Sequence, residues 1–265
     1  MNPAKQNSAP ARLPLSVVII AKNEAERIEE CLRSVAWADE IVVVDSGSTD
    51  DTCDIASRYT DRVHLIPWCG FGPQKQAAVD MATHDWILNV DCDERVSPEL
   101  AAEISRILSD EPRSAYSVPR RTFLGRKEIK HCGWYPDRTV RLFDRTRSRY
   151  SDSPVHERVV TESSISSCTE HLMHYSFAGL SPLLSKLNHY SDLSARQMFD
   201  KGRRCSLFDL TVRPLFAFFK TYLLKAGILD GVEGLVISVT TAMLTFAKYT
   251  KLRELNRERY KDKRK

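Results

Sequence analysis

Leu15-Ser-Val-Val-Ile-Ile-Ala21 runs directly into Lys22-Asn23-Glu24, and the same device recurs twice further along the chain. Ile41-Val-Val-Val44 leads into Asp45-Ser-Gly-Ser-Thr-Asp50, and Trp86-Ile-Leu-Asn-Val90 leads into Asp91-Cys-Asp93-Glu94. Each apolar run is short, rich in β-branched residues and continuous, the pattern of a parallel strand covered on both faces. In open α/β sheets ligands lie beyond the carboxyl ends of such strands. Here those ends carry carboxylates.

Outward from these runs the intervening segments read as helices. Over 25–35, Ile28, Cys31, Leu32 and Val35 fall at i, i+3, i+4 and i+7, one stripe facing a sheet. Ser46-Gly-Ser-Thr49 supplies a turn before a helix over about 51–59, Val63 to Pro67 reads as a short strand, and 73–82 as a helix with proline in its first turn. Ser97-Pro98 caps a further helix to about Leu108. Strand and helix alternate four times, so the expected class is α/β, a Rossmann-like nucleotide-binding half within a mixed sheet. Strands at 115–122, 139–143 and 171–175 extend it, and helices follow over 180–201, 208–224 and 232–254. The expected organisation is a flexible tail over 1–12, a catalytic domain over 13–178, and a C-terminal helical region with a basic tail over 179–265. The catalytic domain divides into a nucleotide half (13–110) and an acceptor half (111–178).

With 265 residues and 42% hydrophobic content, the chain can bury a full core. Its charged fraction of 28% argues against wholesale disorder. Seven scattered cysteines without a Cys-x-x-Cys pair argue against a disulfide framework and a zinc site, and fit a reducing cytosol. The first residues lack the apolar core of a secretory signal. Lys248 to Lys265 holds nine basic and three acidic residues, an excess of six against a whole-chain charge of +4. The last two helices are strongly apolar, but Lys220, Lys225, Glu233 and Lys248 interrupt or bound them, so neither reaches the ~18 uncharged residues of a membrane span. They read either as a hairpin packed on the core or as a monotopic hairpin on an anionic leaflet. The basic residues join no recognised nucleic-acid-binding module, so nucleic acid is not an expected partner.

Asp91-x-Asp93 after a buried strand suits a hard divalent cation such as Mg²⁺ or Mn²⁺, which takes carboxylate oxygens and leaves room for substrate phosphates. Asp45 can accept the imide N–H of uracil, or simply brace its own loop. Lys75, near a helix start, can steady a diphosphate or stand in solvent, and Glu94 is either an outer partner of the metal site or a solvated charge. Glu157 supplies a carboxylate able to take an acceptor hydroxyl's proton, with His156 as rival base or second metal ligand. Trp134-Tyr135-Pro136 offers an aromatic platform for an acceptor sugar, or core packing. Arg120, Arg121, Arg126, Lys127, Arg138 and Arg141 form a basic belt, suited to a phosphorylated acceptor or to solvent.

The segments Ser16-Val-Val-Ile-Ile-Ala-Lys-Asn-Glu24, Val43-Val-Asp-Ser-Gly-Ser-Thr-Asp50 and Asn89-Val-Asp-Cys-Asp-Glu-Arg95 resemble the inverting glycosyltransferases of family 2, which have the GT-A fold. Gly133-Trp-Tyr-Pro-Asp-Arg138, Arg141-Leu-Phe143 and Pro154-Val-His-Glu157 narrow the likeness to the lipopolysaccharide-core β-1,4-glucosyltransferase branch, which moves glucose from UDP-glucose to heptose. The resemblance runs from Leu15 to Leu255. It implies that Ala21 and Asn23 line the nucleotide pocket, Glu24 approaches the uridine, Asp45 binds uracil, Asp91 contacts ribose or nucleotide, and Asp93 ligates the metal. Lys75-Gln76 stands where the family often has Arg-Asn, and His156-Glu157 where many members carry Glu-Asp for the base. Together these imply a metal-dependent inverting transferase that moves a sugar, with glucose the expected one, from a UDP-sugar to a lipopolysaccharide-core or related cell-envelope glycolipid acceptor at the inner face of the cytoplasmic membrane. Two rival readings are a polyprenyl-phosphate glycosyltransferase and a sugar-nucleotide-binding assembly factor.

Overall fold

A computed structural model describes residues 13–110, 112–151, 157–162, 164–177 and 179–262. The first part alternates as expected: β1 (Leu15–Ala21), α1 (Ile28–Val35), β2 (Glu40–Asp45), α2 (Thr52–Ala56), β3 (Val63–Leu65), α3 (Phe71–Met81) and β4 (Trp86–Asn89). Then come β5 (Glu94–Val96), α4 (Pro98–Ser109), β6 (Ala115–Leu124), β7 (Lys127–Ile129), β8 (Asp137–Asp144), β9 (Ser148–Tyr150), β10 (Val159–Thr161), β11 (Ile165–Ser167) and β12 (Leu172–Phe177). The chain ends in α5 (Leu180–Asp200), α6 (Leu207–Phe219) and α7 (Val232–Asp262), with a π-turn over Lys220–Leu224 and a 3₁₀ turn over Gly227–Asp230 between the last two. Strands β5, β7, β9, β10 and β11 are three residues each, too short to show a period in the sequence.

The main sheet runs β3-β2-β1-β4-β8-β6-β12-β5, with β7 and β11 also paired to β6. β1, β2, β3 and β4 are mutually parallel, whereas β8 pairs antiparallel with both β4 and β6. The chain winds outward from β1 to β3, and α3 then returns it to β4 on the other side of β1. The direction of winding therefore reverses between β1 and β4, and a crevice opens at their carboxyl ends.

β1 is buried on both faces because alternate residues enter separate cores. Val17 and Ile19 join the stripe of α1 (Ile28, Cys31, Leu32, Val35) and Leu100, Ile104 and Leu108 of α4. Val18 faces the other way, with Val42, Val44, Ala78 and Val79. The start of α4 follows the sequence reading: Ser97 accepts the Leu100 N–H at 3.2 Å and Pro98 sits in the first turn. α1 begins three residues later than expected. The Glu24 carbonyl takes both the Arg27 and Ile28 N–H groups, and the Ala25 N–H is bound by Asp50, so this stretch is a turn.

The chain forms two compact units. One holds residues up to Arg120 and Asp137–His174; the other holds Arg121–Pro136 and everything from Tyr175. In the second unit, Leu124, Ile129, Cys132 and Ile237 form one small core, and Ala195, Tyr249 and Leu252 another. The hairpin around β7 is fastened to the turn before α7: Asp230 accepts the Lys130 and His131 N–H groups at 3.2 and 2.8 Å, and the Lys225 carbonyl accepts the Cys132 N–H at 2.9 Å. α7 continues through the supposed basic tail, and Tyr249 and Leu252 within it are core residues. The tail is thus an extension of the fold, at least as far as those side chains.

Candidate active site

β1 and β2 end level, with Ala21 opposite Asp45. Beyond them two loops are laced together. Asn23 adopts a left-handed backbone (φ 53°), which asparagine tolerates. Its N–H donates to Ser48 Oγ and its Oδ1 accepts the Thr49 N–H, each at 2.8 Å. The Glu24 N–H donates to Thr52 Oγ1 at 2.8 Å. Asp45 lies beneath, almost fully buried; its Oδ1 accepts the Gly47 and Ser48 N–H groups at 2.8 Å, and its other oxygen accepts the Ser48 hydroxyl. Asp45 therefore builds the wall of the crevice, and an imide N–H arriving there would join three donors already in place.

At the end of β4, Asp91 to Glu94 form a turn closed in both directions. The Asp91 N–H donates to Glu94 Oε2 and the Glu94 N–H donates to the Asp91 carbonyl, both at 2.9 Å. The thiols of Cys31 and Cys92 pack under the turn, and burial pushes both far up, so they serve packing, as read from the sequence for Cys31.

Beneath the turn lies a buried charge network. Arg141 of β8, 2% exposed, donates to Asn89 (2.6 Å), Asp91 (2.6 Å) and the fully buried Glu94 (2.5 Å). The Tyr150 hydroxyl also donates to Asn89, at 2.9 Å. Arg120 adds a second contact to Glu94 at 3.2 Å. Lys75 of α3 joins this network, its ammonium 3.1 Å from Asp91 and 3.1 Å from Glu157. Burial opposes ionisation of Asp91, but Arg141 and then Lys75 override it and hold the carboxyl well below the usual carboxylate range. Lys75 is likewise held above the ordinary lysine value, burial being outweighed by Asp91 despite the nearby Arg141. Burial raises the Tyr150 phenol to about 12, so it stays a donor.

Asp93 points elsewhere. Its Oδ2 lies 3.5 Å from Nε2 of His174, on β12, and each side chain keeps a minor exposed edge. Adjacent ligands of a cation with bonds of about 2.1 Å stand roughly 3 Å apart, so this oxygen–nitrogen pair fits a Mg²⁺ or Mn²⁺ ion. No group of three or more His, Cys, Asp or Glu side chains placed to hold a metal ion occurs among the described residues. That donor set suits an ion completed by substrate phosphates and water rather than one caged by protein.

The structure gathers Ala21, Asn23, Glu24, Asp45, Lys75, Asp91, Asp93 and Glu157 within one unit, around the carboxyl ends of β1, β2 and β4. One expectation is corrected and two open alternatives are decided. Arg141 is not an acceptor-binding residue: a central position on β8, opposite β4, buries its guanidinium against Asn89, Asp91 and Glu94. Lys75 is not a solvated helical lysine, and Glu94 is no surface charge. Of the other acceptor candidates, Arg138 is exposed and donates to the Cys168 carbonyl at 3.1 Å. Trp134 and Tyr135 lie in the second unit, where Trp134 packs 6.0 Å from the Phe177 ring and Tyr135 is exposed. His156 falls outside the described residues. Sequence reasoning missed His174, Asn89 and Tyr150. Asn89 had a signal, as the one polar residue in the Trp86-to-Val90 run; His174 and Tyr150 had none, since their partners lie far away in the chain.

Residues 16–166 match the family described as Glycosyl transferase family 2. An uncharacterized glycosyltransferase of Rickettsia conorii is 32% identical over 253 residues, covering 91% of this chain and 90% of that protein. The lipopolysaccharide core biosynthesis glycosyltransferase LpsC of Rhizobium meliloti is also 32% identical, over 255 residues, covering 91% and 92%. Among solved structures, residues 1–349 of Staphylococcus aureus TarS share 15% identity at a TM-score of 0.49, covering 93% of this chain and 92% of that one. The chain belongs to glycosyl transferase family 2 and is a glycosyltransferase of the α/β GT-A type.

Proposed function

We propose that this glycosyltransferase moves a hexose, glucose first among the candidates, from a UDP-sugar to a lipopolysaccharide-core or related cell-envelope glycolipid, with inversion, at the inner face of the cytoplasmic membrane. The observation that carries the reading is Lys75, one buried ammonium paired at 3.1 Å with both Asp91 and Glu157. It ties the donor-side carboxylate at the end of β4 to the carboxylate best suited to be the base. The acceptor class is supported by the name of the LpsC relative, which matches over nine-tenths of the chain.

In this reading Asn23, Glu24 and the Asp45 loop receive the uridine, and Asp91, fixed by Arg141, meets the ribose. Glu157, positioned by Lys75, accepts the proton of the acceptor hydroxyl as that oxygen bonds to the anomeric carbon. The bond from that carbon to the phosphate oxygen breaks, and its electron pair leaves with UDP. Asp93 and His174 would hold a divalent cation, which when bound offsets the charge growing on the departing diphosphate.

The test is transfer by the purified chain from a panel of UDP-sugars to truncated lipopolysaccharide acceptors, with Mg²⁺ or Mn²⁺ and with chelator. A product of opposite anomeric configuration to the donor, formed only with metal, supports the proposal. Retained configuration, transfer to polyprenyl phosphate instead, or no transfer from any UDP-sugar would overturn it.

A further inference from the structure

The second unit presents its apolar surface outward. On α6, Phe208, Val212, Leu215, Phe216 and Phe219 recur at helical spacing and are 44–61% exposed. On α7, Val232, Leu235, Val239, Met243 and Phe246 form a second such row, 41–72% exposed, while Ile237, Tyr249 and Leu252 of the same helix face inward. The connection between them adds Leu223, Leu224, Ile228 and Leu229, at 52–76%. α6 packs on α7, and Leu210 near its start joins the Tyr249 and Leu252 cluster, so the helices are antiparallel and their two rows belong to one hairpin. An isolated exposed leucine needs no account, but a continuous face of this kind marks an interaction surface. No helix among the described residues is long and apolar enough to cross a membrane.

The charges beside this face identify the partner. Three cations surround one buried ring: Lys248, Arg213 and Arg203 lie 5.3, 5.6 and 5.9 Å from the Tyr249 centroid. Asp209 pairs with Arg213, leaving the cluster positive overall. The same Arg213 guanidinium stands 5.9 Å from the Phe208 ring, so the cations border the apolar row directly. Burial and the two guanidiniums lower Lys248, as expected where like charges gather. Apolar rows flanked by cations match the acyl and phosphate layers of an anionic leaflet.

We infer that the α6–α7 hairpin is an in-plane membrane-docking surface, its outward rows entering the acyl boundary of an anionic bilayer and the Arg203, Arg213 and Lys248 cluster taking lipid phosphates. This rests on the peripheral-membrane part of the proposed function and names the surface responsible. The experiment is flotation of the full chain with acceptor-free vesicles, either phosphatidylethanolamine with phosphatidylglycerol or phosphatidylcholine alone. Expected is binding to the anionic vesicles that weakens with salt. The F216D/L223D variant should lose affinity more than tenfold. Replacing Arg203 and Lys248 by glutamine should cost roughly 25-fold, at about fivefold per cation near an anionic surface, while R203K/K248R should rescue it. Far-UV circular dichroism checks that each variant is folded, and a blue-shifted emission of F216W on vesicle addition checks insertion. If wild-type protein ignores both vesicles, the peripheral reading falls with this one. If both variants bind as wild type does, this surface is wrong and membrane binding resides elsewhere. If wild-type protein is a dimer that F216D/L223D converts to monomer without any vesicle effect, the face is a contact between copies and the inference is overturned.

Discussion

Arg141, Asp91 and Glu94 show how the chain fixes a carboxylate for chemistry. Arg141 is too buried to be hydrated, so its cost is offset only while Asn89, Asp91 and Glu94 stay bonded to it. Removing it in R141A leaves the fully buried Glu94 dependent on Arg120 and the part-exposed Asp91 dependent on Lys75, and a loss at the lower end of about 3–5 kcal/mol is expected, read as a lowered urea midpoint; an unchanged midpoint would show that the network adds nothing. Asp91 is depressed in the folded state, so its contribution is present above the unfolded value of about 3.9 and is lost as pH falls through the folded value. Stability measured from pH 7 down to about pH 3 should therefore fall less steeply in D91N than in wild type. At Glu157, substitution by glutamine keeps the shape but cannot take a proton. Transfer should drop roughly 10²–10⁴-fold with donor KM nearly unchanged. Near-normal turnover would remove Glu157 as the base.

Helix α7 carries three roles along one length: inward core positions, the outward apolar row and the basic end. Ending the chain after Arg257 leaves Tyr249 and Leu252 in place, and the helical unit should keep its melting transition. Ending it before Tyr249 removes two buried side chains, each worth about 2–5 kcal/mol by analogy with large-to-alanine changes. That truncation should lose the cooperative transition in circular dichroism. Any membrane test by deletion of the basic end must therefore stop short of Tyr249. In α4 the effect is smaller and local: S97A removes the acceptor for the Leu100 N–H and should cost about 1 kcal/mol, visible in the same melt.

Every donor-site and metal-site candidate among the described residues belongs to one compact unit, and the outward apolar hairpin belongs to the other. A donor that binds only the folded state stabilises it by about 2.7 kcal/mol at a hundredfold excess over Kd. With UDP and Mg²⁺, hydrogen exchange should slow over 15–21, 41–52 and 86–96 and stay unchanged over 180–257. Uniform slowing would show instead that the two units open as one.

The strands β1, β2 and β4, the α1 stripe and the Ser97 cap were legible because each depends on residues adjacent in the chain: burial on two faces writes a continuous apolar run, and a helix writes its own period. The same locality put Asp45, Asp91 and Asp93 at strand ends. Other features depend on strand order and on which helix covers which face, and neither is encoded within a single element. Lys75 meets Glu157 across 82 positions, Arg141 turns inward because β8 lies beside β4, and His174 reaches Asp93 only after β12 has paired with β5. In the last helices, apolar side chains around the circumference were visible from the start, but which of them face outward is settled by packing. Charges and apolar faces take their meaning from their neighbours, and folding chooses those neighbours.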